Sequence, residues 1–315
     1  MMRSYKRALR PVRRRGRTLG AFAERWLAVQ RFRVKESTYN KYATALEKHI
    51  LPRLGAYAPE SISRGVLEEF ALALQTESAL SAKSAHDVLT LLGSLLRYAG
   101  CIAPEALPYP KIAPKSIRVL SREEERTVRR HLAQEPEEWR FGVLLALETG
   151  LRLGEVCALR WKCVSPGDGT VRIESAVQRL QDRSGEGART RLVTGSPKSS
   201  SSLREIPLPE DLRELAASIR RPDGQYVLTG TEKCPDPRTV QYRFAALMRE
   251  CGLEGVHFHT LRHTFATRAA EVGVDIKSLS EILGHAGTAV TLDRYVHSSL
   301  ERKREELKKL VNSEW

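Results

Sequence analysis

Gly255-Val256-His257-Phe258-His259-Thr260-Leu261-Arg262-His263-Thr264-Phe265-Ala266-Thr267 is the stretch on which the reading of the chain turns. Its apolar positions Leu261, Phe265 and Ala266 recur at helical spacing and predict a helix. Three residues separate His259 from Arg262, which places an imidazole and a guanidinium on one side of that helix. A planar guanidinium fork beside an imidazole suits a phosphate or a carboxylate. The competing chemistry is a metal. His257, His259 and His263 follow H-x-H-x3-H, and the last two are four apart, as zinc ligands on a helix are. No acidic general base lies between them, and Arg262 would set a positive charge beside the cation, so no metal is expected.

Three further segments carry reactive side chains. Downstream, Leu283-Gly284-His285 is followed ten residues later by Tyr295. Upstream, Thr149-Gly150-Leu151-Arg152-Leu153-Gly154-Glu155 ends one helix at Gly150 and starts the next at once, which projects Arg152 from a tight corner. Between them, Pro197-Lys198 leads through four serines to Leu203-Arg204-Glu205-Ile206-Pro207, a turn running into a strand. Singly, each has an ordinary reading: a surface arginine, a solvated serine loop, a structural histidine, a core tyrosine.

Composition narrows the choice. The 315 residues hold 52 Lys and Arg against 38 Asp and Glu, a net charge of +14, which points to a polyanionic partner. Arg3, Lys6, Arg7, Arg10, Arg13, Arg14, Arg15 and Arg17 make residues 1–17 a basic arm without acids. A hydrophobic content of 41% excludes a disordered chain. Five cysteines, an odd number without a C-x-x-C pair, argue against a disulfide framework or a zinc ribbon and suit a reducing compartment. No apolar run reaches the roughly 18–20 residues of a membrane span, so a soluble, cytoplasmic protein is expected, with no membrane partner.

From 18 to 100 the pattern is helical. Leu19, Phe22, Ala23, Trp26 and Leu27 form one apolar face. Tyr39, Tyr42, Leu46 and Ile50 form a second, stopped by Pro52. Val66, Leu67, Phe70, Ala71 and Leu74 form a third, and Val88, Leu89, Leu92, Leu95 and Leu96 a fourth. Residues 101–118 hold four prolines and read as an extended linker. Ser121 to Glu124 is a capping box opening a helix, and 137–149 form a mostly apolar helix. Extended runs follow at 160–164, 170–179 and 204–208, with turns at 166–169 and 184–187. After 209 the pattern is mostly helical again. The fold class expected is mainly α with a small antiparallel β-sheet in the second domain.

Together and in order, these segments resemble the tyrosine site-specific recombinases, the integrase family of phages and mobile elements. The likeness covers nearly everything from 18 to about 312. It rests on T-G-L-R-x-G-E, K-x3-S-x-R-x-I-P, H-x-L-R-H and L-G-H followed by the tyrosine. The resemblance implies a two-domain, C-shaped DNA clamp: the arm 1–17, a helical core-DNA-binding (SAM-like) domain at 18–100, the linker 101–118, and a catalytic domain at 119–315 with a C-terminal helix at 299–312. It implies catalytic roles for Arg152, Lys198, His259, Arg262, His285 and Tyr295, with Glu155 and His263 in support. It further implies cleavage and rejoining of double-stranded DNA at core sites through a 3′-phosphotyrosyl bond and a Holliday junction. The expected setting is a nucleoid-associated homotetramer, open to accessory DNA-bending or directionality factors, with no cofactor.

The family's Thr after the lysine is Ser199 here, and 177–196 make a long hairpin, as in phage and conjugative-element integrases. Many of those begin with a folded arm-binding domain. Here a basic segment of 17 residues precedes the helices, so either that domain is lacking or the chain is truncated. The rival readings are a type IB topoisomerase-like relaxing enzyme, a sequence-specific DNA-binding protein without catalysis, and an RNA-binding protein favoured by charge alone.

Overall fold

Thr18 caps the first helix of the structure, a computed structural model that describes residues 18–101, 107–113, 117–183, 189–195, 203–285, 287–289 and 291. Residues 1–17, Lys198, Tyr295 and 299–312 therefore lie outside the described residues. The chain divides into two compact units, Met1–Lys115 and Ser116–Trp315.

The first unit is helical. Helix α1 spans Leu19–Arg33, with the Thr18 hydroxyl accepting from the Ala21 N–H. Helix α2, Glu36–Ala45, runs through a π turn at Leu46–Ile50 into the short α3, Leu51–Leu54. Helices α4, Arg64–Thr76, and α5, Ala82–Tyr98, start on the serine caps Ser63 and Ser81. All five residues of the third stripe and all five of the fourth are buried. Together with Leu19, Trp26, Leu46 and Ile50 they form one core. Pro52 does not stop the second stripe. In the π turn ahead of it the Leu51 N–H reaches back five residues to the Leu46 carbonyl. The ordinary four-residue ladder is already interrupted there, so the missing proline N–H is tolerated.

The second unit begins with α6, Arg122–Leu132, on the capping box: the Ser121 hydroxyl accepts from the Glu124 N–H, and the Glu124 carboxylate accepts from the Ser121 N–H. Helix α7, Glu137–Thr149, is buried nearly all round and stacks Phe141 on Trp161 at 5.6 Å. It is capped by Gly150 in the left-handed conformation, φ 68°. Helix α8 covers Leu153–Ala158.

The strands differ from the sequence expectation in two places. Of the run 160–164 only its last residue is strand. Trp161–Cys163 form a 3-10 turn, because the Trp161 N–H donates to the Gln225 carbonyl and Lys162 to Asp223 instead of joining a ladder. The run 170–179 is two strands in two sheets. Strand β2, Thr170–Ile173, lies between β1, Val164–Ser165, and β5, Arg204–Pro207, all antiparallel. Strand β3, Ala176–Gln181, pairs only with β4, Thr190–Gly195. Val171, Ile173 and Ile206 are buried, so the first sheet turns one face to the core. The β3–β4 ribbon keeps Val177 buried while Arg179, Gln181 and Arg191 are exposed.

Helices α9, Glu210–Ser218, α10, Pro237–Glu250, α11, Phe258–Glu271, and α12, Ile276–Leu283, complete the described part. The stretch predicted helical on Leu261, Phe265 and Ala266 is α11. Among the described residues no helix is long and apolar enough to cross a membrane.

Candidate active site

Three segments far apart in sequence meet where α7 ends, α11 begins and α12 ends. Gly150 makes the corner possible. A Cβ there would sit 2.7 Å from both Leu283 and Phe265 side chains, besides needing the left-handed backbone. Two residues on, Arg152 occupies the N-cap of α8. Gly154 lets α8 approach β3, since a Cβ on it would lie 2.6 Å from the Val177 carbonyl oxygen.

Glu155 binds the corner together. Its Oε1 accepts from Arg152 Nη1 at 2.8 Å and its Oε2 from the Arg152 backbone N–H at 2.9 Å. The carboxylate is almost fully buried and also takes both Nη groups of Arg204. Burial pushes its pKa up, but the hydrogen bond and charge of Arg204, reinforced by Arg152, outweigh burial and hold it below the ordinary glutamate range.

Arg262 is 2% exposed. Its Nη1 donates to the Gly150 carbonyl and its Nη2 to the Leu283 carbonyl, each at 2.8 Å. Arg152 Nη2 donates to the next carbonyl, Gly284, at 3.1 Å. The two guanidiniums are thus anchored on adjacent carbonyls at the α12 terminus, which turns into the loop through Gly284 at φ 63°. His285 follows, its Nδ1 2.8 Å from the hydroxyl of the fully buried Thr291.

His259 and Arg262 are on one side of α11 but not at one depth. Three residues turn a helix to within about 60° of the start, so His259 is exposed while Arg262 is buried. His263, four residues on from His259, is half-buried and sets its ring edge-on to it at 4.5 Å. Among the described residues no three His, Cys, Asp or Glu side chains cluster to hold a metal. The sequence reading missed two partners. Arg204 lies inside the K-x3-S-x-R-x-I-P motif, which implies no role for it, and Thr291 lies between His285 and Tyr295 in no motif. Their only sequence signal is proximity to Lys198 and His285, and their partners are 49 and 6 residues away.

Glu155→Gln is expected to lower stability by about 3 kcal/mol at neutral pH, because the buried Arg204 and the partly exposed Arg152 lose their buried counter-charge. A lowered carboxyl pKa stabilises above the unfolded-state value, and that stabilisation is lost as pH falls through the lower folded value. The difference in melting temperature between wild type and variant should therefore narrow below about pH 4. A constant difference would mean the carboxylate charge is not what stabilises.

Comparison with known proteins places these features. Residues 118–302 match the model of the phage integrase family, and residues 18–71 match that of the phage integrase N-terminal SAM-like domain. The chain is 32% identical over 241 residues to tyrosine recombinase XerC of Xylella fastidiosa, covering 73% of this chain and 75% of that one. Among solved structures it resembles the Tn1549 transposon integrase in complex with transposon right end DNA, with TM-score 0.77 and 21% identity over 93% of this chain and 99% of that one. It also resembles the lambda integrase tetramer bound to a Holliday junction, with TM-score 0.65 and 19% identity over 90% of this chain and 80% of that one. At these identities the structural likeness shows a shared fold.

Proposed function

Because the chain belongs to the phage integrase family and is a tyrosine recombinase, an enzyme that cleaves and rejoins DNA, we propose a site-specific integrase of a mobile element that uses Tyr295 as its nucleophile. The observation that carries the reading is the anchoring of Arg152 and Arg262 on the Gly284, Leu283 and Gly150 carbonyls, which joins three of the four motifs in one corner.

The Tyr295 hydroxyl gives its proton to solvent as its oxygen attacks the scissile phosphorus, forming a 3′-phosphotyrosyl bond as the bond to the 5′-oxygen breaks. Charge builds on the non-bridging oxygens, and the guanidiniums of Arg152 and Arg262 neutralise it. His259 and His285 hydrogen-bond the same phosphate. The 5′-oxygen leaves with a proton from Lys198. A 5′-hydroxyl from the partner strand then attacks the phosphotyrosyl phosphorus, returning its proton to Lys198, while the Tyr295 oxygen leaves and regains a proton from solvent. The number of high-energy bonds is unchanged, so no nucleotide cofactor enters.

Two duplexes and four protomers, joined through a Holliday junction, complete the proposal; the lambda integrase solved as a tetramer on such a junction supports it. The domain assignment belongs to it too: the basic arm, the core-binding helices, the linker and the catalytic domain, with 299–312 joining protomers. So do a cytoplasmic, nucleoid-associated setting and accessory factors that bend DNA or set direction.

The test is trapping on a nicked suicide substrate. Lys198→Ala should slow cleavage of an ordinary phosphodiester far more than that of a diester with sulfur in the 5′-bridging position, which leaves without a proton. Equal losses on both would remove Lys198 from the proton transfer. Deleting residues 1–17 should weaken binding to any duplex alike. Eight cations on phosphates would account for a salt slope of about 7. Contact with phosphates about half of the time should supply about half of that. A slope unchanged by the deletion would leave the arm without DNA contact.

A further inference from the structure

Arg204, the first residue of β5, has no role in the reaction described above. Its side chain is 6% exposed, although it is among the longest and most polar. Its fork meets the Glu155 fork squarely, Nη1 to Oε1 at 3.1 Å and Nη2 to Oε2 at 2.9 Å. Its Nε donates to the Ile282 carbonyl at 2.6 Å. Ile282, Leu283 and Gly284 thus offer three successive carbonyls to three arginines, Arg204, Arg262 and Arg152.

Geometry distinguishes their tasks. Arg152 is 36% exposed at its side chain and shares only Oε1 with its own guanidinium. The Arg152 backbone N–H holds Oε2, but both of these bonds come from one residue three positions away, and neither ties the carboxylate, whose last torsion is broad, to the rest of the fold. The bidentate contact from Arg204 ties both oxygens to β5, and the Ile282 carbonyl fixes Arg204 in turn. The carboxylate plane, and with it the direction of Arg152, is set from β5.

We propose that Arg204 is a positioning residue for strand cleavage: it locks the Glu155 carboxylate at the angle that aims the Arg152 guanidinium at the scissile phosphate. The inference rests on Arg152 as a phosphate clamp. Charge supports it, since Arg204 is the larger of the two influences holding Glu155 ionised against burial. A misplacement of about 1 Å at a reacting centre costs on the order of a hundredfold in rate.

The experiment compares single-turnover cleavage by full-length protein on two nicked substrates. One has the ordinary phosphodiester, the other a methylphosphonate, in which a neutral methyl replaces one non-bridging oxygen and less positive charge is needed. Each variant is read against wild type on the same substrate at saturating protein. Arg204→Met should slow the ordinary diester about a hundredfold and the methylphosphonate much less. Arg152→Ala/Arg204→Met should be no slower than Arg152→Ala, because the two act through one clamp. Arg204→Lys keeps the cation but not the fork and should fall between wild type and Arg204→Met; it carries the same comparison if Arg204→Met does not fold. Equal slowing of both substrates, or losses that multiply in the double variant, would reduce Arg204 to a strut and overturn the proposal. If Arg152→Ala itself cleaved at the wild-type rate, the clamp reading would fail instead, and the two failures are distinct.

Discussion

Tyr295→Phe should bind DNA as wild type does and form no covalent adduct on a nicked suicide substrate. The substitution removes one oxygen and no apolar surface, so binding has no reason to change. It removes the only atom that could form the phosphotyrosyl bond. A phenol, with a pKa near 10, is far easier to deprotonate than a sugar hydroxyl, and phenylalanine offers no substitute. The expected loss is therefore complete rather than partial. Adduct formation is read on a denaturing gel and affinity by gel shift. An adduct persisting in Tyr295→Phe would place the nucleophile elsewhere in the chain. Tyr295 lies outside the described residues, so the motif alone motivates the choice.

Arg262→Ala should produce the second largest loss, about 10³- to 10⁵-fold in cleavage rate, the range seen when an arginine that neutralises a phosphoryl transition state is removed. Arg262 is buried and holds the Gly150 and Leu283 carbonyls together. Alanine would leave both without these donors, at about 1–3 kcal/mol each. Part of any activity loss could therefore be a loss of fold. Arg262→Lys separates the two, since the ammonium keeps the charge but cannot reach both carbonyls in one plane. Cleavage and melting temperature are measured on both variants. If Arg262→Ala melts as wild type does and cleaves within tenfold of it, Arg262 has no part in charge neutralisation.

Several elements were legible because their cause is local. The stripes at 66–74 and 88–96, the capping box at Ser121 and the stop at Gly150 each depend on residues within a turn or two. Apolar spacing dictates which face of a helix is buried, whatever it is buried against. The four motifs likewise resemble one family by residue type and order, and the family match agrees with that identification.

Other features had no local cause. Pro52 lies inside a helical stretch because a π turn precedes it. Residues 170–179 divide between two sheets because β5, more than 30 residues on, claims the first part and β4 the second. Arg152 and Gly284 are 132 residues apart, Arg262 and Gly150 112, Arg204 and Glu155 49. By itself, then, the sequence determined the helices, because short-range periodicity encodes what a segment must bury, and the family, because four ordered motifs resemble it; the roles of the reactive side chains are what that resemblance implies. Only the tertiary structure decided that one buried carboxylate and three consecutive carbonyls hold three arginines, since a buried charge selects its partner by distance and dielectric after folding, not by spacing along the chain.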